Sequence, residues 1–166
     1  MRNPLTAPTS DPRRARALTR DDLARVIEID KLHAGHLRRH FFEKRFGAAA
    51  ARPDDYLQVG VTLDDRLQGF AIARVLRGEY GQRDAVAVVD ALGVAPDSRE
   101  KGIGQALMRA LVETSREQGV RRLQSQANWT NDELLRFFDA AHFELAARIA
   151  LERPIADLRA ADDEET

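Results

Sequence analysis

Gly102 and Gly104 stand two residues apart in the stretch Asp97-Ser98-Arg99-Glu100-Lys101-Gly102-Ile103-Gly104-Gln105-Ala106-Leu107, between an apolar run and a helical pattern. Residues 85–94, AVAVVDALGV, are apolar almost without interruption and rich in valine. That is the pattern of a strand buried on both faces. After the glycines, Ile103, Leu107, Ala110, Leu111 and Thr114 recur at helical spacing as far as Gly119, which suits a C-terminal cap. The glycines therefore fall at a strand-to-helix junction. The first N–H groups of a helix have no partner inside it, and together with the helix dipole they attract an anion. Gly102 and Gly104 lack the side chains that would keep a bulky diphosphate at a distance. Arg99 and Lys101 add positive charge beside it. A G-x-G pair by itself more often marks a tight turn before an ordinary helix. The P-loop pattern G-x-x-x-x-G-K-[ST] is absent, and Leu107 in the third position excludes the dinucleotide pattern G-x-G-x-x-G.

Asp90 is the second chemical candidate. It is the one polar residue in the run 85–94, where an unpaired charge is costly. Two roles fit it: a general base that accepts a proton directly or through water, or a structural aspartate tied to an arginine or to backbone N–H groups. On a regular strand it shares a side with Val88, Leu92 and Val94. Glu79, in the polar loop before the strand, is a further carboxylate whose plainer reading is a solvated loop residue. Trp129, the only tryptophan, follows the next strand. An indole there either stacks on a flat ligand or anchors packing, and the second reading is the ordinary one.

The remainder of the chain supplies the frame. At 166 residues it is long enough for one domain with a proper core. A net charge of −1 creates no field that favours nucleic acid or membrane. The absence of cysteine excludes disulfides, thiolate catalysis and cysteine-ligated metal, and suits the cytoplasm. No apolar run is long enough to span a bilayer. Residues 1–14, proline-rich and basic, are expected to form a flexible tail without the aromatic residues of a nucleic-acid arm. A first strand is expected over 15–18. Thr19 and Asp22 then form a capping box for a helix buried through Leu23, Val26 and Ile27. Residues 31–51 read as a second helix anchored by Leu37, Phe41 and Phe42. Its basic residues, His33, His36, Arg38, Arg39, His40, Lys44 and Arg45, read as a solvated face. His33, His36 and His40 have helical spacing, but no carboxylate or cysteine sits among them to complete a metal site. Residues 56–63 and 67–77 form a hairpin around Asp64-Asp65-Arg66. Strand 121–128, helix 131–141 and a last strand 143–153 follow, closed by Pro154, with an acidic tail over 156–166. The order β-α-α-β-β-β-α-β-α-β is α+β with a mixed, mostly antiparallel sheet. The helix from Gly102 to Gln118 crosses between two strands that run parallel. Gly93, inside a strand, marks a bulge or a close approach by a ligand.

With Arg99, Gly102 and Gly104 in the three fixed positions of [QR]-x-x-G-x-[GA], and Val94 and Pro96 meeting the upstream V-x-P pattern, the chain resembles the GNAT superfamily of N-acetyltransferases from about Ala17 to Pro154. The resemblance implies a single catalytic domain over 15–155, with helices on both faces of the sheet and a splayed parallel strand pair at the cofactor site. It implies acetyl-CoA as cosubstrate, with no metal. Leu92, Gly93 and Val94 would border the pantetheine arm. Arg99, Glu100, Lys101, Gly102, Ile103, Gly104 and Gln105 would hold the diphosphate, with Asn131 nearby. In related enzymes a carboxylate at the place of Asp90 often serves as base. The resemblance also implies that the basic segment 31–45 borders the acceptor pocket, which would favour an acceptor carrying a carboxylate or phosphate. The activity implied is transfer of an acetyl group to a primary amine by direct attack in a ternary complex. A small-molecule acceptor is preferred to a protein lysine or N-terminus. The expected partners are that acceptor and a second copy of the chain in a homodimer, with no membrane and no nucleic acid. A lysine-like ammonium has a pKa near 10.4, so neutralising it at pH 7 costs about 4.6 kcal/mol, which is the reason for a base. The chain departs from the family at the acid. In the family's N-x₆-Y-x₄-F segment, Asn131 and Phe143 match, but the tyrosine position holds Phe138, and His142 stands where glycine is usual. Either the thiolate leaves unaided, at about 2 kcal/mol for a thiol of pKa near 8.5, or Tyr80 or His142 donates. The missing tyrosine also keeps open a non-catalytic acyl-CoA-binding module.

Overall fold

The computed structural model describes residues 11–78 and 83–153. Residues 1–10 of the tail expected over 1–14, the tail expected over 156–166, Pro154, and the loop residues Glu79 and Tyr80 lie outside the described residues. The chain divides into two compact units, Met1–Asn131 and Asp132–Thr166.

The first unit holds a five-stranded sheet in the order β1 (Arg13–Ala17), β2 (Tyr56–Leu63), β3 (Arg66–Leu76), β4 (Ala85–Val94), β5 (Val120–Ser125). The first three pairings are antiparallel and β4–β5 is parallel. This is the expected α+β mixed sheet. β1 begins at Arg13, two residues earlier than expected, so Arg13 and Arg14 are strand residues. β2 and β3 turn through Asp64 and Asp65 with φ of 51° and 58°. Both values are left-handed, as the primed turns that match strand twist require, and aspartate tolerates them.

Helix α1 (Leu23–Ala34) runs past Lys31, and α2 (Arg39–Ala51) begins only at Arg39. The single helix expected over 31–51 is therefore divided. Gly35 is the cause: at φ 71° it takes the left-handed cap conformation, and its N–H donates to the Lys31 carbonyl at 3.0 Å. Both helices cover one face of the sheet. Val26, Ile29, Phe42, Phe70, Ile72 and Ala91 form the core there, and the Phe42 and Phe70 rings meet edge to face at 5.7 Å. Helix α3 (Ile103–Glu117) covers the other face through Ile103, Leu107 and Leu111. A Cβ on Gly69 would lie 2.7 Å from Ile103 Cγ2, so α3 rests on bare strand backbone.

In the second unit, α4 (Asp132–Ala140) buries Phe138 against Phe137 and Phe143, with ring centroids 5.6 and 4.8 Å away. The strand expected over 143–153 is not formed among the described residues; Leu145, Ile149 and Leu151 are exposed. Alternation of apolar residues belongs to a single segment, whereas a strand exists only when a neighbour accepts its hydrogen bonds.

Asp22 ties β1 to the start of α1. Its carboxylate accepts from Arg16 Nη1 and Nη2 at 2.7 and 2.8 Å, and from the Thr19 N–H at 2.8 Å, the backbone half of the expected capping box. The Arg16 guanidinium holds the Asp22 carboxyl below its ordinary value. A carboxyl depressed in the folded state contributes stability that is present above the unfolded value, near pH 4, and is lost as pH falls through the folded value. Asp22→Asn is therefore expected to cost about 2 kcal/mol at pH 7, and the gap from the parent should shrink in urea titrations taken from pH 5 down to pH 3. A gap that stayed constant over that range would show that Asp22 acts through packing alone.

Candidate active site

β4 and β5 pair from Ala85↔Val120 only as far as Val89↔Ser125. From Asp90 to Val94 the β5-facing edge of β4 has no strand partner among the described residues, while its other edge stays paired to β3 through Gly69↔Val94. The splayed pair expected from the sequence is thus present. Its origin is local. Ile72 pairs with Ala91 and Ala73 with Val89, which leaves Asp90 as the extra residue of a bulge.

The bulge re-aims the strand. Val88 lies opposite Arg74, and Asp90 bonds Arg74, so both sit on the α2 face. Leu92 and Val94 lie opposite Ala71 and Gly69, on the α3 face. Asp90 therefore does not share a side with Leu92 and Val94, because the extra residue shifts the alternation by one. Gly93 also has a reason of its own: a Cβ there would lie 2.8 Å from the Phe70 ring and 3.2 Å from Ile29. The close approach expected at Gly93 is made by the core.

β4 runs into the glycine loop through Pro96–Ser98, a single tight turn. Glu100 and Gly102 take left-handed φ of 65° and 73°, and Gly102 caps α3. These two residues turn the chain so that the N–H groups of Ile103, Gly104 and Gln105, which have no acceptor inside the helix, open the first turn. The described residues thus fit a diphosphate-bearing strand-like ligand: a free strand edge leads into a helix N-terminus with Arg99 and Lys101 beside it.

Two side chains brace this loop. Arg13, held by Asp11 at 2.8 and 2.9 Å, donates from Nη1 to the Lys101 carbonyl at 3.2 Å. A Cβ on Gly102 would lie 2.1 Å from that same nitrogen. His33, at the end of α1, bridges the other side. Arg99 Nη2 lies 3.0 Å from His33 Nδ1, and His33 Nε2 lies 2.6 Å from the Val94 carbonyl. A guanidinium only donates, so Nδ1 accepts and the Nε2–H donates to the Val94 carbonyl.

The carboxylate at the bulge is paired. Asp90, 8% exposed at its side chain, accepts from Arg74 Nε at 2.7 Å. Arg45 Nε, from α2, lies 2.9 Å from the same oxygen as an ion pair. Bonding to Asp90 raises the affinity of the Arg74 guanidinium for its proton. Beside it, Arg38 pairs with the buried Asp30, and the Arg38 and Arg45 guanidinium groups stand 5.1 and 5.0 Å from the Phe41 ring centroid.

A sequence model of the Acetyltransferase (GNAT) family matches residues 20–143. The chain belongs to the GNAT acetyltransferase family. No curated sequence matches it. Solved structures of the same fold include a transcriptional regulator from Bacillus halodurans C-125, at 17% identity and a TM-score of 0.72, covering 86% of this chain and 99% of that one. AAC(6')-Iy in complex with the bisubstrate analogue CoA-S-monomethyl-acetylneamine aligns at 21% identity and a TM-score of 0.69, covering 86% and 97%. An aminoglycoside acetyltransferase from an uncultured soil metagenomic sample, in complex with sisomicin, aligns at 17% and 0.68, covering 86% and 95%.

Within this GNAT enzyme the loop residues expected to hold the diphosphate are contiguous at the α3 N-terminus. Asn131 is the last residue of the first unit, its N–H donating to Asn128 at 2.9 Å. Phe138, at the usual tyrosine position, is buried. His142, at the usual glycine position, adopts φ 62°, so the backbone there keeps the conformation for which glycine is suited. Trp129 is 85% exposed and is not a packing anchor. His33 and His36 are engaged separately, His36 with the Ala34 carbonyl, and no cluster among the described residues has the make-up of a metal site. No helix among them is long and apolar enough to cross a membrane. Arg74 and Arg13 were not legible as site residues, and Arg45 and His33 were legible only as members of the basic segment 31–45. For Arg74 a signal existed: it is the one cation inside the apolar run of β3, one strand away from the one anion inside β4.

Gly102→Ala adds a Cβ against Arg13 and places a side chain in the left-handed region, which costs about 1–2 kcal/mol by itself. The expected outcome in urea unfolding is a loss larger than that strain, and a smaller loss when Arg13→Ala is already present. Additive effects in the double-mutant cycle would show that Arg13 does not bear on the loop.

Proposed function

We propose that this GNAT enzyme is an N-acetyltransferase that moves an acetyl group from acetyl-CoA to a primary amine on a small molecule, by direct attack in a ternary complex in the cytoplasm. The observation that carries the reading is the free edge of β4 from Asp90 to Val94, continuous with the glycine loop and the α3 N-terminus. The small-molecule acceptor is supported by the aminoglycoside acetyltransferases of the same fold, solved with coenzyme A or an aminoglycoside.

Acetyl-CoA supplies an activated thioester, so that the acceptor nitrogen forms the C–N bond as the C–S bond breaks and coenzyme A leaves as thiolate. The loop from Arg99 to Gln105 binds the diphosphate through backbone N–H groups, and the edge at Leu92, Gly93 and Val94 aligns the arm. Asp90 stands where the strands part and is the candidate acceptor of the amine proton, through the oxygen that Arg45 and Arg74 leave free. Glu79 and Tyr80 belong to the same proposal as second base and acid. Phe138 has no proton to donate, so departure of the thiolate is unaided or served from elsewhere. That residue also favours a second reading, a module that binds acyl-CoA without turnover.

Calorimetry with acetyl-CoA, followed by free-thiol detection over a panel of amines, tests both. Gly104→Val is expected to abolish acetyl-CoA binding; parental affinity in that variant would refute the placement of the diphosphate. Asp90→Asn is expected to lower kcat by about 10²-fold or more with acetyl-CoA affinity unchanged. Tight binding with no turnover on any amine would select the non-catalytic module.

A further inference from the structure

The Arg45–Asp90–Arg74 group has more positive charge than it neutralises. Two guanidinium groups share one carboxylate, and both face its Oδ2 through Nε alone. The adjacent pair, Arg38 with Asp30, cancels itself. The cluster therefore carries one uncompensated positive charge. Its donors are also unspent. Arg45 Nε is buried and lacks an aligned hydrogen-bond acceptor. The Nη groups of Arg45 and Arg74 have no acceptor among the described residues. Both arginine side chains are only partly covered, 26% exposed for Arg45 and 39% for Arg74. Arg45 is held against the Phe41 ring, so its fork is oriented before any ligand arrives. A planar fork with free N–H groups and a surplus charge matches a carboxylate, which accepts two parallel bonds.

The position of the cluster gives this surplus a use. It sits at the bulge, where β4 leaves β5 and where the acetyl group would end in the acetyltransferase reading, on which this inference rests. Asp90 Oδ1 has no partner among the described residues. The site thus presents one free carboxylate oxygen beside two free guanidinium forks. An ammonium and a carboxylate held a few ångströms apart in one molecule complement that arrangement of charges. We propose that Arg45 and Arg74 bind a carboxylate on the acceptor, and that the acceptors are amino-acid-like amines whose carboxylate lies close to the reacting nitrogen. A polycationic acceptor such as an aminoglycoside meets repulsion at the same place.

Matched pairs of amines test this: leucine against 3-methylbutylamine, and phenylalanine against 2-phenylethylamine, each pair differing in the carboxylate. With the full chain, acetyl-CoA and free-thiol detection, kcat/KM corrected for the neutral amine fraction is expected to favour the amino acid by at least about 10-fold, the scale of one charged hydrogen-bonded contact. Arg45→Gln or Arg74→Gln should collapse that ratio toward one. Because the ratio is internal to each variant, it does not depend on the folded fraction, and the remaining arginine still pairs with Asp90. Equal rates for both members of each pair, or a preference unchanged in both variants, would overturn the inference while leaving an acetyltransferase. Calorimetry of leucine and 3-methylbutylamine with coenzyme A present separates the two failures. Selective binding of leucine without turnover would support the carboxylate site and count against catalysis. Neither turnover nor leucine binding would overturn the inference.

Discussion

A carboxylate in the middle of an inner strand has to be compensated, and the arrangement around Asp90 follows from that requirement. A buried charge without a partner costs several kcal/mol. Here the compensation comes from two directions, Arg74 on the neighbouring strand and Arg45 on the helix above. Both contacts need Asp90 to face α2, where alternation from Val88 places it. The same extra residue puts Leu92 and Val94 on the α3 face and lies where pairing with β5 ends. Charge compensation, strand direction and the open edge are thus coupled at one residue. If Asp90 were replaced by an apolar residue, the two arginines would face each other across a partly buried space, and the helix bearing Arg45 would keep only its apolar packing on the sheet.

The glycine loop is held by a different kind of constraint. Its shape depends on backbone conformations that only some residues adopt, at Glu100 and Gly102, and on side chains from distant parts of the chain. Arg13 comes from the first strand and His33 from the end of the first helix, 88 and 66 residues from their loop partners. Arg13 bonds the Lys101 carbonyl, and His33 bonds both Arg99 and the Val94 carbonyl. The N–H groups of the first turn of α3 can bind an anion without large reorganisation when the turn is held in this way. The neighbours of the same fold, at 17–21% identity, keep the architecture with most side chains changed.

What the sequence by itself determined was local in origin. The valine-rich run, the glycine pair, the helical spacing after it and the two-aspartate turn each depend on residues within about ten positions of one another, so periodicity and backbone preference suffice to read them. The α+β order, the parallel crossover and the Arg99, Gly102, Gly104 pattern were legible for that reason. Gly35 was a local signal as well, and its capping conformation divides what reads as one helix. Tertiary structure alone decided which residues meet. The face taken by Leu92 and Val94, opposite to that of Asp90, depends on a one-residue slip against β3, which no pattern within β4 reveals. Gly93 is small because Phe70 and Ile29 fill its place, and Gly102 is bare on the side where Arg13 lies. Residues 143–153 carry the alternation of a strand, yet pairing requires a neighbour's free N–H and C=O groups. That is a property of the assembled sheet and not of the segment.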